Sequence, residues 1–272
     1  LVKEIAKWKF TTMTGVNTLF NGLLNTPGFD RLDFSALKVV VGGGAAVQKP
    51  VAERWQKVTG HYLTEAYGLT ETSPGACCMP LGGAWDGTVG LPIPSTDVSI
   101  RDDDFKELPV WTGEGDIEKC TGEICVRGPQ VMKGYWNNPG ETANVFQDGW
   151  LKTGDVGHLD DLGRVTITDR KKDMILVSGF NVYPNEIESV LAAHPGVLEC
   201  AVVAVPDEKS GEAVKVVIVR RDPNLTGEAV IEHCRAQLTS YKLPRHVEFR
   251  DFLPKTPIGK ILRRELRDAP QA

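Results

Sequence analysis

The chain has 272 residues, with 31 Lys and Arg against 36 Asp and Glu for a formal net charge of −5, and is 41% hydrophobic and 25% charged. Strand-sized runs of Val, Ile and Leu exclude a disordered chain, and the lack of net positive charge excludes a nucleic-acid binder held by phosphate neutralisation. At roughly 100–200 residues per domain, the length suits two domains or one large domain with an appendage.

Lys3 to Trp8 reads as the end of a helix, amphipathic and without the apolar core of a signal peptide. Phe10 to Met13 is β-prone, and Asn17 is placed to cap a helix running to Leu24. Leu37 to Val41 is a continuous apolar strand ending in Gly42-Gly43-Gly44. Pro50 suits the first turn of a helix through Val58, and His61 begins a strand closed by Tyr67-Gly68. This alternation predicts a parallel sheet covered on both faces. From about Gly87 to Thr168, short alternating runs split by Gly, Pro and Asp predict an antiparallel sheet or small β-barrel, interrupted by a helix at Pro139 to Val145.

The charged run Arg170-Lys171-Lys172-Asp173 reads as an exposed linker. Beyond it, strands are predicted at Met174–Val177, Leu198–Val205, Ala213–Val219 and Val247–Phe249, and helices at Pro184–Ala193, Gly227–Leu238 and Gly259–Arg267. They make an α+β unit of ordinary domain size. No apolar run reaches the roughly 18–20 residues that span a bilayer. The six cysteines contain no C-x-x-C pair, which points to reduced thiols in a cytoplasmic protein rather than a zinc site.

Two segments carry candidate chemistry. Gly42-Gly43-Gly44-Ala45-Ala46 lacks the third glycine of a dinucleotide fingerprint, because position 47 is Val47. Its glycines either let backbone approach a flat ligand or make a tight turn. In Thr64-Glu65-Ala66-Tyr67-Gly68-Leu69-Thr70-Glu71-Thr72, Tyr67 offers a face to a base, Thr70 a hydroxyl to phosphate, and Glu71 an oxygen to Mg²⁺. Alone, the same run reads better as a polar capped turn.

Further motifs follow in order: Thr121 to Gly128 (TGEICVRG), Gly134 to Pro139 (GYWNNP), Gly149 to Asp155 (GWLKTGD), Asp169 to Ile175 (DRKKDMI), Ser178 to Pro184 (SGFNVYP) and Pro254 to Lys260 (PKTPIGK). This series resembles the adenylate-forming superfamily of acyl-CoA synthetases, peptide-synthetase adenylation domains and luciferases. Residues 169–188 and the Tyr135–Pro139 segment are most similar to bacterial long-chain fatty-acid–CoA ligases.

The resemblance implies that a carboxylate is activated with ATP, pyrophosphate leaves, and the acyl group passes from AMP to the thiol of coenzyme A. It implies that residues 1–170 are the C-terminal part of a large AMP-binding domain, with 1–86 its α/β portion and 87–170 its β-barrel portion. Residues 171–272 would be a small, mobile α+β domain. By the same resemblance, Gly43, Gly44, Ala45, Glu65, Ala66, Tyr67, Gly68 and Leu69 lie against the nucleotide. Thr70 contacts phosphate, Glu71 holds Mg²⁺, and Asp155 and Arg170 meet the ribose. Lys260 reaches the carboxylate and α-phosphate, Lys172 is the hinge, and Ser178, Gly179 and Phe180 line the pantetheine path with Arg245 near CoA phosphate.

The hydroxyl- and glycine-rich loop that grips the β- and γ-phosphates in that superfamily is not found. The chain is therefore expected to be part of a longer synthetase and inactive by itself. Alternatives are an adenylation domain that loads a carrier protein and a non-catalytic nucleotide-binding module. The expected partners are a medium- or long-chain fatty acid and CoA, with no nucleic acid and no transmembrane segment, and with peripheral membrane contact left open. Acyl-chain length and oligomeric state have no signature in the sequence.

Overall fold

The computed structural model describes residues 2–257 and 259–267, and it divides into two compact units, Leu1–Thr168 and Asp169–Ala272. Ile258 of the closing Pro-Lys-Thr-Pro-Ile-Gly-Lys run lies outside the described residues.

The first unit opens with α1 (Val2–Ile5), β1 (Thr12–Gly15), α2 (Asn17–Leu24), β2 (Val39–Gly43), α3 (Lys49–Thr59), β3 (Thr64–Tyr67), β4 (Cys77–Cys78) and β5 (Leu91–Pro92). These strands form one sheet in the order β1-β2-β3-β4-β5. Its first three strands are parallel, and β4 and β5 are added antiparallel. Phe20, Leu23 and Leu24 of α2 and Val51, Ala52 and Trp55 of α3 pack in one cluster with Val40 and Leu63. The Phe20 and Trp55 rings meet edge to face, 4.8 Å between centroids, a geometry that aligns ring edge with ring face.

Among the described residues the sheet is covered on one face only, not both as expected. Met13 pairs with Val40 and faces the helices. On the alternate positions Val39 and Val41 are half-buried, and Thr12 and Thr14 are exposed. Period-two alternation puts neighbouring residues on opposite faces, and among the described residues only the Val40 face is packed by helices. Asn17 also differs from its expected role. Val16 occupies the cap position, while the Asn17 amide donates to Gln48 Oε1 (3.2 Å) and accepts from Gln48 N (3.0 Å), tying α2 to the start of α3.

The rest of the unit comprises β6 (Asp97–Arg101), β7 (Gly122–Arg127), α4 (Pro139–Val145), β8 (Phe146–Gln147), β9 (Trp150–Leu159) and β10 (Val165–Arg170). The sheet runs β10-β9-β7-β6 with β8 on β9, and β6, β7 and β9 pair antiparallel. Of the two expectations for this region, the open sheet is observed: among the described residues the strands do not close into a barrel. Asn138 accepts from Glu141 N (3.2 Å) and Pro139 follows it, so α4 starts where capping chemistry dictates.

The second unit comprises β11 (Ile175–Val177), β12 (Phe180–Val182), α5 (Pro184–Ala192), β13 (Val197–Asp207), β14 (Gly211–Arg220), α6 (Gly227–Arg235), β15 (His246–Arg250) and α7 (Arg263–Arg267). Its sheet runs β12-β11-β14-β13, with β15 parallel to β14. The unbroken apolar run of β13 is explained by burial on both faces. Cys200, Val202 and Ala204 pack with Ile187, Leu191 and Val230, and Ala201 and Val203 pack with Leu253 and Leu266.

The helix expected from Gly259 starts only at Arg263. Before it, Lys255 bridges to Ile261 and Thr256 N donates to Lys260 O (2.8 Å), pairings that keep those backbone groups from a helical ladder. Among the described residues no helix is long and apolar enough to cross a membrane.

Candidate functional site

The Gly43–Ala66 backbone pair sets the end of β2 beside β3. Gly44 and Ala45 lie just beyond, exposed, at the C-terminal edge of the parallel strands, where ligands of open α/β sheets bind. Glu65, on β3 beside Gly42, is buried. Its Oε1 accepts from Val47 N (3.0 Å) and its Oε2 from Trp85 Nε1 (3.1 Å). Burial, only partly offset by those two donors, pushes its carboxyl up to about 7.

After Tyr67 the chain turns sharply. A Cβ at Gly68 would lie 1.8 Å from the Pro74 carbonyl oxygen, so only glycine fits this close approach. The turn is held by Thr72, whose Oγ1 accepts from Leu69 N (2.9 Å). Thr70, which lies within that turn between Leu69 and Thr72, is exposed.

Tyr67 itself is buried, and its hydroxyl donates to Asp155 Oδ2 (2.8 Å), joining β3 to β9. Burial first, and then the Asp155 charge, hold the phenol far above the ordinary tyrosine range. Two expected nucleotide-contacting residues are thus in direct contact. Asp155 is presented by the Thr153-Gly154-Asp155 segment, where Thr153 Oγ1 donates to Ile124 O (2.7 Å) and Gly154 N donates to Glu123 Oε1 (3.0 Å).

Glu71 is anchored twice. Its carbonyl accepts from Met132 N (2.8 Å) and its Oε1 from the Tyr135 hydroxyl (2.8 Å). An open cavity of about 770 Å³ lies under the 132–146 segment, with Tyr135, Trp136 and Phe146 in its lining.

In the second unit, Ser178 and Gly179 connect β11 to β12 as a two-residue turn with φ of 52° and 87°. Positive φ at both positions is the primed turn that matches strand twist, and the glycine removes the penalty at the second. Phe180 is 55% exposed and its ring stacks on Tyr241, 4.8 Å between centroids.

The tip is linked to Arg245 by a chain of bonds. Ser178 N donates to Ser210 O (2.8 Å), Ser210 Oγ donates to Asp207 Oδ1 (2.7 Å), and Arg245 Nη1 donates to the same Oδ1 (2.8 Å). These donors, Ser210 foremost, hold the Asp207 carboxyl well below its usual range. Arg245 is therefore half-committed to Asp207 rather than a loose cation.

Arg170 and Lys172 are exposed, and Arg170 O accepts from Asp173 N (2.9 Å). The ammonium of Lys260 has no partner among the described residues, and its backbone N donates to Thr256 Oγ1 (3.1 Å).

Four residues of consequence had no role assigned from the sequence. Tyr135 and Tyr241 stood only as members of longer runs, Asp207 had no signal, and Arg263 looked like one more charge in a basic tail. Arg263 is instead largely buried. Its Nε and Nη2 donate to the two Glu188 carboxylate oxygens (3.2 and 2.8 Å), and Nη2 also to Asn185 Oδ1 (2.7 Å). Its Nη1 lies 3.5 Å from Asp169 and 3.4 Å from Asp173. Desolvation opposes its charge, but Glu188 and Asp169 outweigh it and push the guanidinium further up.

Residues 1–136 match the family model of the AMP-binding enzymes, and residues 186–260 match that of the AMP-binding enzyme C-terminal domain. The chain is 56% identical over 269 residues to a long-chain-fatty-acid–CoA ligase of Escherichia coli O6:H1, covering 98% of this chain and 46% of that protein. It is 40% identical over 264 residues to the fatty acid–[acyl-carrier-protein] ligase ScoC of Streptomyces coeruleorubidus, covering 95% of this chain and 49% of that protein. Among solved structures, ATP-bound MatB from Rhodopseudomonas palustris superimposes with a TM-score of 0.88 at 36% identity, covering 98% of this chain and 53% of that one. The chain spans about half the length of the curated relatives it matches.

Proposed function

Because the chain belongs to the AMP-binding enzyme family, we propose that the protein carrying it joins a medium- or long-chain fatty acid to coenzyme A at the expense of ATP, through an acyl-adenylate. The observation that carries this reading is the buried Tyr67–Asp155 bond beside the Thr70-Glu71 turn. It supports a nucleotide cradle in which the carboxylate of Asp155 accepts from the ribose and β3 lies along the base. In this reading the first unit is the later part of the large nucleotide-binding domain, and the second unit is the small domain that turns about Lys172.

Joining two anions requires charge neutralisation and alignment. Lys260 supplies a compact, mobile positive charge for the carboxylate and α-phosphate, and its freedom from internal ion pairs among the described residues suits that task. Thr70 offers its hydroxyl to phosphate. Arg170 meets the ribose and Gly43 to Ala45 face the adenine. For the second step, Ser178, Gly179 and Phe180 flank the thiol's path, and Arg245 adds positive charge for CoA phosphate.

The donors at Glu71 fit a magnesium ion. One carboxylate oxygen is occupied by Tyr135, the other has no partner among the described residues, and the exposed Thr70 hydroxyl is a second hard oxygen nearby in sequence. Bound there, the ion would neutralise phosphate charge as pyrophosphate leaves.

The proposed setting is the cytoplasm, with peripheral membrane contact as a means of meeting a water-insoluble substrate. ATP–pyrophosphate exchange by the full-length protein across a series of fatty acids tests the first step. Thioester formation with CoA against a carrier protein tests the second. The 40% identity to a fatty acid–[acyl-carrier-protein] ligase makes the carrier the competing acceptor. Transfer to the carrier alone would replace the CoA reading, and no exchange with any fatty acid would overturn both.

A further inference from the structure

The carboxylate of Glu71 meets a residue 64 positions further along the chain: the Tyr135 hydroxyl donates to Glu71 Oε1 at 2.8 Å. The segment that delivers this hydroxyl is fixed from both sides. Met132 N donates to the Glu71 carbonyl (2.8 Å), and Tyr135 N donates to Thr142 Oγ1 (2.9 Å), which in turn donates to Asn138 O (2.9 Å). These bonds are made by backbone and by Thr142, so the segment keeps its place without the phenolic oxygen. That oxygen is spent on one contact, the carboxylate.

We propose that Tyr135 is a positioning residue for divalent-cation binding at Glu71: its hydroxyl holds Oε1 and thereby leaves Oε2 as the oxygen offered to the ion. The proposal rests on the reading of Glu71 as a magnesium ligand given above. A glutamate has three rotatable bonds and samples many carboxylate orientations in water. Magnesium demands near-ideal octahedral geometry, so a ligand already oriented costs less to engage. Removing a partner that orients a metal ligand in this way typically costs about 10–100-fold in metal affinity.

The test uses the full-length protein with a non-hydrolysable ATP analogue, and manganese as a paramagnetic probe followed by water-proton relaxation. Wild type, Tyr135→Phe and Glu71→Gln are titrated, and each is melted in parallel. Tyr135→Phe is expected to weaken manganese binding roughly tenfold, the low end for such partners, with little change in melting temperature. Glu71→Gln is expected to weaken it further. Binding weakened by Glu71→Gln but unchanged by Tyr135→Phe would leave the metal reading standing and sink the positioning role. A lower melting temperature with unchanged binding would do the same, by making Tyr135 a structural pin. Unchanged binding by Glu71→Gln would remove the metal reading and this proposal with it.

Discussion

Tyr67 and Asp155, 88 residues apart in sequence, share a buried 2.8 Å hydrogen bond between β3 of the parallel sheet and β9 of the antiparallel one. The bond welds the two sheets of the first unit at the point where the nucleotide cradle is proposed. It also holds the carboxylate that is proposed to meet the ribose.

Replacing Tyr67 by Phe keeps the ring's packing and removes the donor. A buried carboxylate short of one partner costs about 1–3 kcal/mol, so the unfolding midpoint in urea is expected to fall accordingly. In the proposed reaction the same change raises KM for ATP more than it lowers kcat, because the loosened Asp155 binds substrate rather than the transition state alone. An unchanged urea midpoint would show that the contact is dispensable.

Two buried carboxyls make stability depend on pH. Burial, the leading cause in each, pushes Glu65 up to about 7 and Asp169 up to about 6. In the unfolded chain such groups release their protons at about 4. Over the interval between, the folded chain holds protons that the unfolded chain has lost. Their contribution is therefore complete below about pH 4 and is lost as pH rises through the folded values. The advantage of the native protein over Glu65→Gln should be larger at pH 5 than at pH 8 in urea unfolding. An equal advantage at both would mean that Glu65 does not titrate in that interval.

What was legible in the sequence was whatever local chemistry decides. Asn138-Pro139 marks the start of α4 because capping acts within three residues, and Pro50 sits in the first turn of α3, where its missing N–H leaves no bond unmade. What was not legible depends on partners far along the chain. Whether the β1–β3 sheet is covered once or twice is decided by helices that the strands themselves do not encode. The opening of the second sheet depends on edge pairing. Arg263 is unreadable as a buried cation because its acceptors, Asp169, Asp173, Asn185 and Glu188, lie some 75 to 94 residues earlier. The Tyr67, Thr70, Glu71 and Asp155 pattern was visible through motif resemblance, while the bonds that hold it, from Tyr135 and Glu123, required coordinates.

Arg263 offers the sharpest test of the second unit. Replacing it by Met leaves the buried carboxylates of Glu188 and Asp169 without their cation, and breaking a buried pair from one side costs about 3–5 kcal/mol. A large drop in melting temperature is expected. Arg263→Lys should recover little of it, since a single ammonium cannot fork between Glu188 and Asn185 as the guanidinium does. Full recovery by lysine would reduce the network to net charge.

Gly179 has two claims on its identity, and they can be separated. At φ 87° any side chain with a Cβ is strained, yet a Cβ there meets nothing within 4 Å. The turn alone therefore sets a cost of about 1–2 kcal/mol for most residues and less for Asn, which tolerates the left-handed region. If the open space beside Gly179 is the thiol's path, added bulk acts on the second half-reaction regardless of turn strain. Gly179→Leu is expected to spare acyl-adenylate formation, read as ATP–pyrophosphate exchange, and to block transfer to CoA. Gly179→Asn, which keeps the turn, should slow transfer as well while melting close to wild type. Should Asn transfer at the native rate and Leu lose both half-reactions together, the glycine serves the turn and not the path.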